Sequence, residues 1–257
     1  MEHRTSRDTV IAIANQKGGV GKTTTAVNLS ASLALNKKRI LLIDFDPQGM
    51  ATLGLGIKKE ENKGIYPPLM NGDSLSNYIQ PTEIDGFFFC PSSPELIGFE
   101  AEIFDEPERE RRLKKAIEPE KKNFDYIFID CPPSLSFLTI NALSAADSIL
   151  IPVQTEFFSM EGMPDLLHTL NEVRTYLNPS LAIKGILLTM YDERTNLSKQ
   201  VAQELQSSLK SIVYEVIIPR TVKLAEAPSF GKPIILYAAK SKGALSYLNF
   251  AKEFLKK

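Results

Sequence analysis

An α/β fold built from parallel βαβ units, with helices on both faces of the sheet, is predicted by three features of this 257-residue sequence. Short β-branched or aliphatic runs recur at intervals that leave room for a helix between them. Those runs are nearly continuous in apolar character rather than alternating, as in strands covered on both sides. A segment rich in glycine and lysine lies directly between the first such run and the first helical stretch, the setting of a phosphate-binding loop.

The first strand is VIAIA at 10–14, followed by a helix at 22–36 and a second strand, RILLID, at 39–44. Residues 58–80 are rich in Gly, Asn, Pro and charge and read as loops around a short helix. FFFC at 87–90 adds a further strand. Charges of both signs crowd residues 95–122, a solvated helical face, with a helix at 109–117. A strand at 124–130, a helix at 135–145 and a strand at 148–153 follow, then a helix at 160–177 and a strand at 183–189. The chain closes with a helix at 197–209, a strand at 213–218 and a helix at 244–255, whose Ala244, Leu245, Leu248, Ala251 and Leu255 fall at helical spacing. That last stripe suits a core-packing helix, with membrane association as its alternative.

With 43% hydrophobic and 24% charged residues the chain can bury a sizeable core, and with no linker in view a single domain over 1–257 is expected. A net charge of −1 excludes a generally basic nucleic-acid binder but leaves room for a local patch. No stretch approaches the ~18 consecutive apolar residues of a membrane span. The first residues, MEHRTSRDTV, lack the apolar core of a signal peptide, so a cytoplasmic protein is expected. Cys90 and Cys131 stand apart from each other and from any His or Cys cluster, as buried small hydrophobes do.

NQKGGVGKTT at 15–24 carries the chemistry. Glycines let the backbone curl so that successive N–H groups meet phosphate oxygens, and the following helix adds the partial positive charge of its amino end. Gly18, Gly19, Val20, Gly21, Lys22, Thr23 and Thr24 form the expected cradle. Lys22 neutralises the β- and γ-phosphates of ATP, and Thr23 places its hydroxyl on Mg²⁺. The pattern G-x-x-x-x-G-K-[ST] is not strictly met, because Gln16 occupies its first glycine; the match is to K-G-G-x-G-K-[ST], with an extra lysine at Lys17.

ATP chemistry also needs carboxylates, and they belong at the carboxyl ends of neighbouring strands. The 39–44 strand runs into Asp44-Phe45-Asp46-Pro47-Gln48-Gly49, and the 124–130 strand ends at Asp130 before Cys131-Pro132-Pro133. Asp130 is expected to bind Mg²⁺, and Asp46 to position the attacking water beside the metal, with Asp44 behind it. Alternation sends Asp44 and Asp46 to the same face of an extended segment. Taken singly, each has an alternative as the cap of the next helix.

NQKGGVGKTTTAVNLSASLA, LLIDFDPQGMAT, YIFIDCPPSL, ILIPVQTEFFSMEG, GILLTMYDERTNLSKQV and IPRTVKLAEAPSFGKPI together resemble the ParA/Soj partitioning ATPases, deviant Walker A members of the P-loop NTPases, over nearly the whole chain. The resemblance implies a mostly parallel, twisted sheet and a homodimer sandwiching two ATP molecules. In it Lys17 reaches the partner's phosphates, and Met190, Pro219 and Arg220 border the base. It further implies non-specific double-stranded DNA as a partner, contacted by Arg194 and Lys223 with Arg220, Lys199, Lys240 and Lys242 as neighbours. Residues 190–257 hold 11 Lys and Arg against 6 Asp and Glu, which fits a local basic surface. A ParB/Spo0J-type protein would stimulate slow hydrolysis, and the ATP-bound form would sit on the nucleoid. The first strand begins near Val10, so an amino-terminal operator-binding domain is not expected, and no membrane partner is either. A Min-like membrane-associated positioning ATPase is the alternative. An electron-transfer ATPase resembling the nitrogenase iron protein is a third, disfavoured because the two cysteines lack that family's glycine-flanked settings.

Overall fold

The structure, a computed structural model, describes residues 8–156, 163–209 and 211–257. Seven strands form one sheet in the order β3-β4-β2-β5-β1-β6-β7. They are β1 Val10–Ile13, β2 Ile40–Asp44, β3 Gln80–Pro81, β4 Phe87–Cys90, β5 Tyr126–Asp130, β6 Ser148–Gln154 and β7 Ala182–Thr189. All neighbouring pairs are parallel except β3 with β4, a short antiparallel edge that the sequence reading did not anticipate.

The helices are α1 Lys22–Leu35, α2 Met50–Gly54, α3 Tyr66–Met70, α4 Phe99–Glu102, α5 Arg112–Ile117 and α6 Phe137–Ala145. They continue with α7 Met163–Tyr176, α8 Asn196–Ser208, α9 Val222–Glu226, α10 Ile234–Tyr237 and α11 Lys242–Phe254. The helix start expected at Met160 lies outside the described residues.

Alternating strand residues divide the core into two layers. Val10, Ala12, Leu41, Ile43, Ile127 and Ile129 pack with α3, α5, α6 and α7 on one face. Ile11, Ile13, Ile40, Leu42 and Phe128 pack with α1, α10 and α11 on the other. Burial on both faces is why these strands read as unbroken apolar runs. Cys90 and Cys131 are buried free thiols within the first layer.

Two elements differ from expectation. Residues 213–218 are not a continuous strand but make isolated parallel bridges, Val213 to Ile186 and, just beyond, Pro219 to Tyr191. Between them the Glu253 carboxylate accepts the amides of Glu215 (2.7 Å) and Val216 (2.9 Å), which takes these donors away from the sheet edge. In α11 the buried face is Ala244, Tyr247, Phe250, Ala251 and Phe254, whereas Leu245 is 52% exposed. Aromatic bulk overrides the Leu stripe: Phe254 meets the rings of Tyr126, Phe128, Tyr214 and Phe250. The apolar face of α11 is thus spent on the core and on α1, where Tyr247 and Thr25 share a buried hydroxyl contact of 3.1 Å.

Candidate nucleotide site

Parallel pairing sets Asp44 directly opposite Asp130, and Ile13 opposite Asp130 on the other side. The carboxyl ends of β2, β5 and β1 therefore lie in one row, where open α/β sheets bind ligands. From β1 the chain enters the glycine loop, which has three anchors. Asn15 donates from Nδ2 to the Pro152 carbonyl (2.7 Å) and accepts the Lys17 amide at Oδ1 (3.0 Å). Thr189 donates its hydroxyl to the Val20 carbonyl (2.8 Å). Gly19 and Gly21 hold φ of +74° and +87°, which side chains with a Cβ rarely adopt, and α1 starts from Gly21. The glycine loop therefore leads directly into the positive end of α1.

Lys22 is buried, and its Nζ donates back to the Lys17 carbonyl (3.0 Å). Burial holds its ammonium below the ordinary lysine range, opposed by Asp130, Cys131 and Asp46. Lys17 is half-buried at the loop's tip, beside exposed Gly18 and Gly19. Thr23 and Thr24 are half-exposed at the start of α1.

Asp130 is fully buried, and both of its carboxylate oxygens lack a hydrogen-bond partner. Thr23 faces it without meeting hydrogen-bond geometry. Burial, then the charge of Asp44, pushes the Asp130 carboxyl well above the usual range; Thr23 and Lys22 offset this only in part. A buried carboxylate with unspent oxygens next to a hydroxyl fits a hard divalent cation such as Mg²⁺.

Asp44 behaves differently. Its Oδ2 accepts the Thr52 amide (2.7 Å) and hydroxyl (2.6 Å), and its Oδ1 accepts the Asp46 amide (3.3 Å). Burial nevertheless pushes its carboxyl up to about 6, against the pull of the Thr52 bonds. With both oxygens engaged, Asp44 holds the segment after β2 in place, behind Asp46 and opposite Asp130. Asp46 is 7% exposed; its Oδ1 accepts the Gln48 amide (2.9 Å), and its carbonyl accepts the Ser92 hydroxyl (2.6 Å) and the Gly49 amide (2.8 Å).

Beyond Gly21 and Thr24 opens a cavity of about 540 Å³, walled by Thr189, Met190, Pro219, Arg220 and Tyr247 among others. The three residues expected to border a base are therefore brought together, and Arg194, expected on DNA, lines the same cavity. Four of the six basic residues expected on DNA have acidic partners. Arg194 forks onto Asp192 (2.8 and 2.7 Å), Lys223 pairs with Glu226 (2.9 Å), Lys242 with Glu193 (3.3 Å) and Arg220 with Glu156 (3.9 Å). Lys199 and Lys240 are exposed. Pairs this exposed are screened by solvent and contribute little to stability.

Sequence reasoning missed Asn15, Thr52, Ser92 and Thr189 as builders of the site. Asn15, Thr52 and Thr189 stand inside segments already singled out; Ser92 arrives from just after β4 with no local signal.

A family model described as an AAA domain matches residues 8–183. The chromosome partitioning protein ParA of Myxococcus xanthus is 52% identical, the alignment covering 96% of this chain and 88% of that protein. The sporulation initiation inhibitor protein Soj of Bacillus subtilis is 52% identical over 95% of this chain and 97% of its own. Among solved structures, cobyrinic acid a,c-diamide synthase from Mycobacterium smegmatis, with bound ADP and magnesium, superposes with a TM-score of 0.82 at 35% identity, covering 96% of this chain and 94% of that one.

Proposed function

This chain belongs to the ParA/Soj family of chromosome-partitioning proteins, and from that premise we propose that it is an ATP-driven switch that binds DNA non-specifically as a nucleotide-sandwich dimer. The observation that carries the reading is the Asp130 carboxylate, buried without a partner and in the electrostatic reach of Lys22, in line with the phosphate loop. A magnesium–nucleotide would complete such a site, and the similar synthase of known structure binds ADP and magnesium. Mg²⁺ supplies charge neutralisation on the phosphates.

Thr23 and Asp130 would hold the metal. Lys22 exchanges its bond to the Lys17 carbonyl for the phosphates, and the loop amides bind their oxygens. Asp46, fixed through its backbone and one side-chain oxygen, orients the attacking water close to the metal. The base lies in the cavity of Met190, Pro219 and Arg220. Lys17, half-buried at the tip, reaches the phosphates of a second copy, so that the site is complete only in the dimer. Two basic surfaces then act together on DNA, and their avidity makes weak phosphate contacts sufficient. A ParB-type protein accelerates hydrolysis and resets the monomer.

Turnover and nucleotide binding test the reading together. Lys22→Gln is expected to abolish both ATP turnover and tight ATP binding, whereas Asp46→Ala abolishes turnover, by at least about a hundredfold, and retains binding. Turnover that persists in Asp46→Ala would remove Asp46 from the chemistry. Failure of the wild type to bind ATP would end the proposal.

A further inference from the structure

The loop that bears Asp46 is clasped from outside by a residue that no part of the nucleotide motif includes. Lys59, half-buried in the stretch after α2, donates from Nζ to the carbonyls of Pro47 (3.1 Å) and Gln48 (3.0 Å). The peptide unit joining Pro47 to Gln48 is thereby gripped on both edges. Its carbonyl is held by Lys59, and its N–H is the donor to Asp46 Oδ1 (2.9 Å). The lysine stem runs across Gly49, where an added Cβ would come within 2.4 Å of Lys59 Cδ, so the turn has a glycine where the strap crosses it.

The strap has its own foundations. Lys63 and Ile65 follow it in the same loop; the Ile65 amide donates to Pro91 (3.0 Å), and the Lys63 carbonyl accepts the Ser93 hydroxyl. The Asn62 amide donates to Glu95 (2.7 Å). These contacts tie the Lys59 loop to the end of β4, the same place from which Ser92 holds the Asp46 carbonyl.

We propose that Lys59 is a positioning residue for ATP hydrolysis: its ammonium locks the Pro47–Gln48 peptide so that the Gln48 N–H keeps the Asp46 carboxylate aimed at the attacking water. This rests on the role of Asp46 proposed above. A charge-assisted bond to two carbonyls is stronger than a neutral one and fixes the plane of the peptide, and small errors in aim are costly in turnover.

The test compares Lys59→Met, which keeps the stem and loses the donor, with Lys59→Arg, which restores a donor. For each, kcat and KM for ATP, ATP affinity, melting temperature and hydrogen exchange at the Gln48 and Gly49 amides are measured. Lys59→Met is expected to lower kcat about tenfold with KM and ATP affinity within about twofold of wild type, and to speed exchange at those two amides by at least about tenfold while α1 is unaffected. Lys59→Arg recovers most of kcat. An unchanged kcat with unchanged exchange overturns the proposal, as does a loss of kcat that merely tracks a fall in melting temperature. If the wild type turns over no ATP, the proposed function fails; unchanged exchange in Lys59→Met then overturns the strap separately.

Discussion

At the scale of single residues, the site is marked by charge kept under unfavourable conditions. Asp130 is buried with its oxygens unspent, next to Asp44, whose carboxyl is itself raised to about 6. A carboxyl raised in the folded state binds its proton more tightly there than in the unfolded chain, whose Asp titrates near about 3.9. Stability therefore falls as pH rises from the unfolded value through the raised folded one, and levels off above it. In EDTA and without nucleotide, Asp130→Asn is expected to be more stable than wild type at pH 7.5, by about 1–3 kcal/mol, with the difference narrowing at pH 5. Urea unfolding at the two pH values checks this. A destabilised Asp130→Asn at pH 7.5 would mean that the carboxylate is satisfied in the free protein. Asp44 carries the opposite lesson: the sequence places it beside Asp46, yet only the fold reveals that Thr52 and the Asp46 amide occupy its oxygens.

At the scale of elements, α11 decides between a core role and a free amphipathic face. Its buried side is aromatic, with Phe254 1% exposed, while Leu245 is 52% exposed. Phe254→Ala is expected to cost roughly 3–5 kcal/mol in unfolding free energy, the range for a large buried aromatic. Leu245→Ala should stay within about 0.5 kcal/mol of wild type, as surface changes do. The reverse ranking, read by denaturant midpoint, would restore the Leu stripe as the buried face. The strands and long helices were legible because apolar runs and helical spacing are local properties. The 213–218 segment was misjudged as continuous because the Glu253 carboxylate that takes its amides lies on a helix far along the chain. The β3 edge, a two-residue strand ending in Pro81, is too short to leave a periodic signal.

For the whole molecule, the sheet order gathers the phosphate loop, the Asp46 turn and Asp130 at the carboxyl ends of neighbouring strands, and the cavity lined by Met190, Arg194, Pro219 and Arg220 opens beside Gly21 and Thr24. The phosphate loop and the acidic strand ends were legible because each motif packs its chemistry into a few consecutive residues. The partners of Lys242 and Arg220 were not, since Glu193 and Glu156 lie far from them along the chain, whereas Asp192 with Arg194 and Glu226 with Lys223 are close neighbours in sequence. Each such pair is exposed, so in the proposed complex a DNA phosphate would compete with a carboxylate rather than meet a bare charge, and binding would weaken with salt. The proposed ATP-bound dimer would double the number of phosphates engaged at once, which is how a chain of net charge −1 would hold a polyanion only in one nucleotide state.

The most direct test is binding to an arbitrary DNA duplex without nucleotide, with ADP and with ATP, at two salt concentrations, for wild type, Lys22→Gln, Asp46→Ala and Arg194→Ala/Lys223→Ala. ATP binding is checked in each, since Arg194 also lines the cavity beside Gly21 and Thr24. Binding is expected to require ATP, persist in Asp46→Ala, fail in the other two variants and weaken with salt. Binding indifferent to nucleotide, or nucleotide-dependent dimers that ignore DNA, would contradict the proposed function.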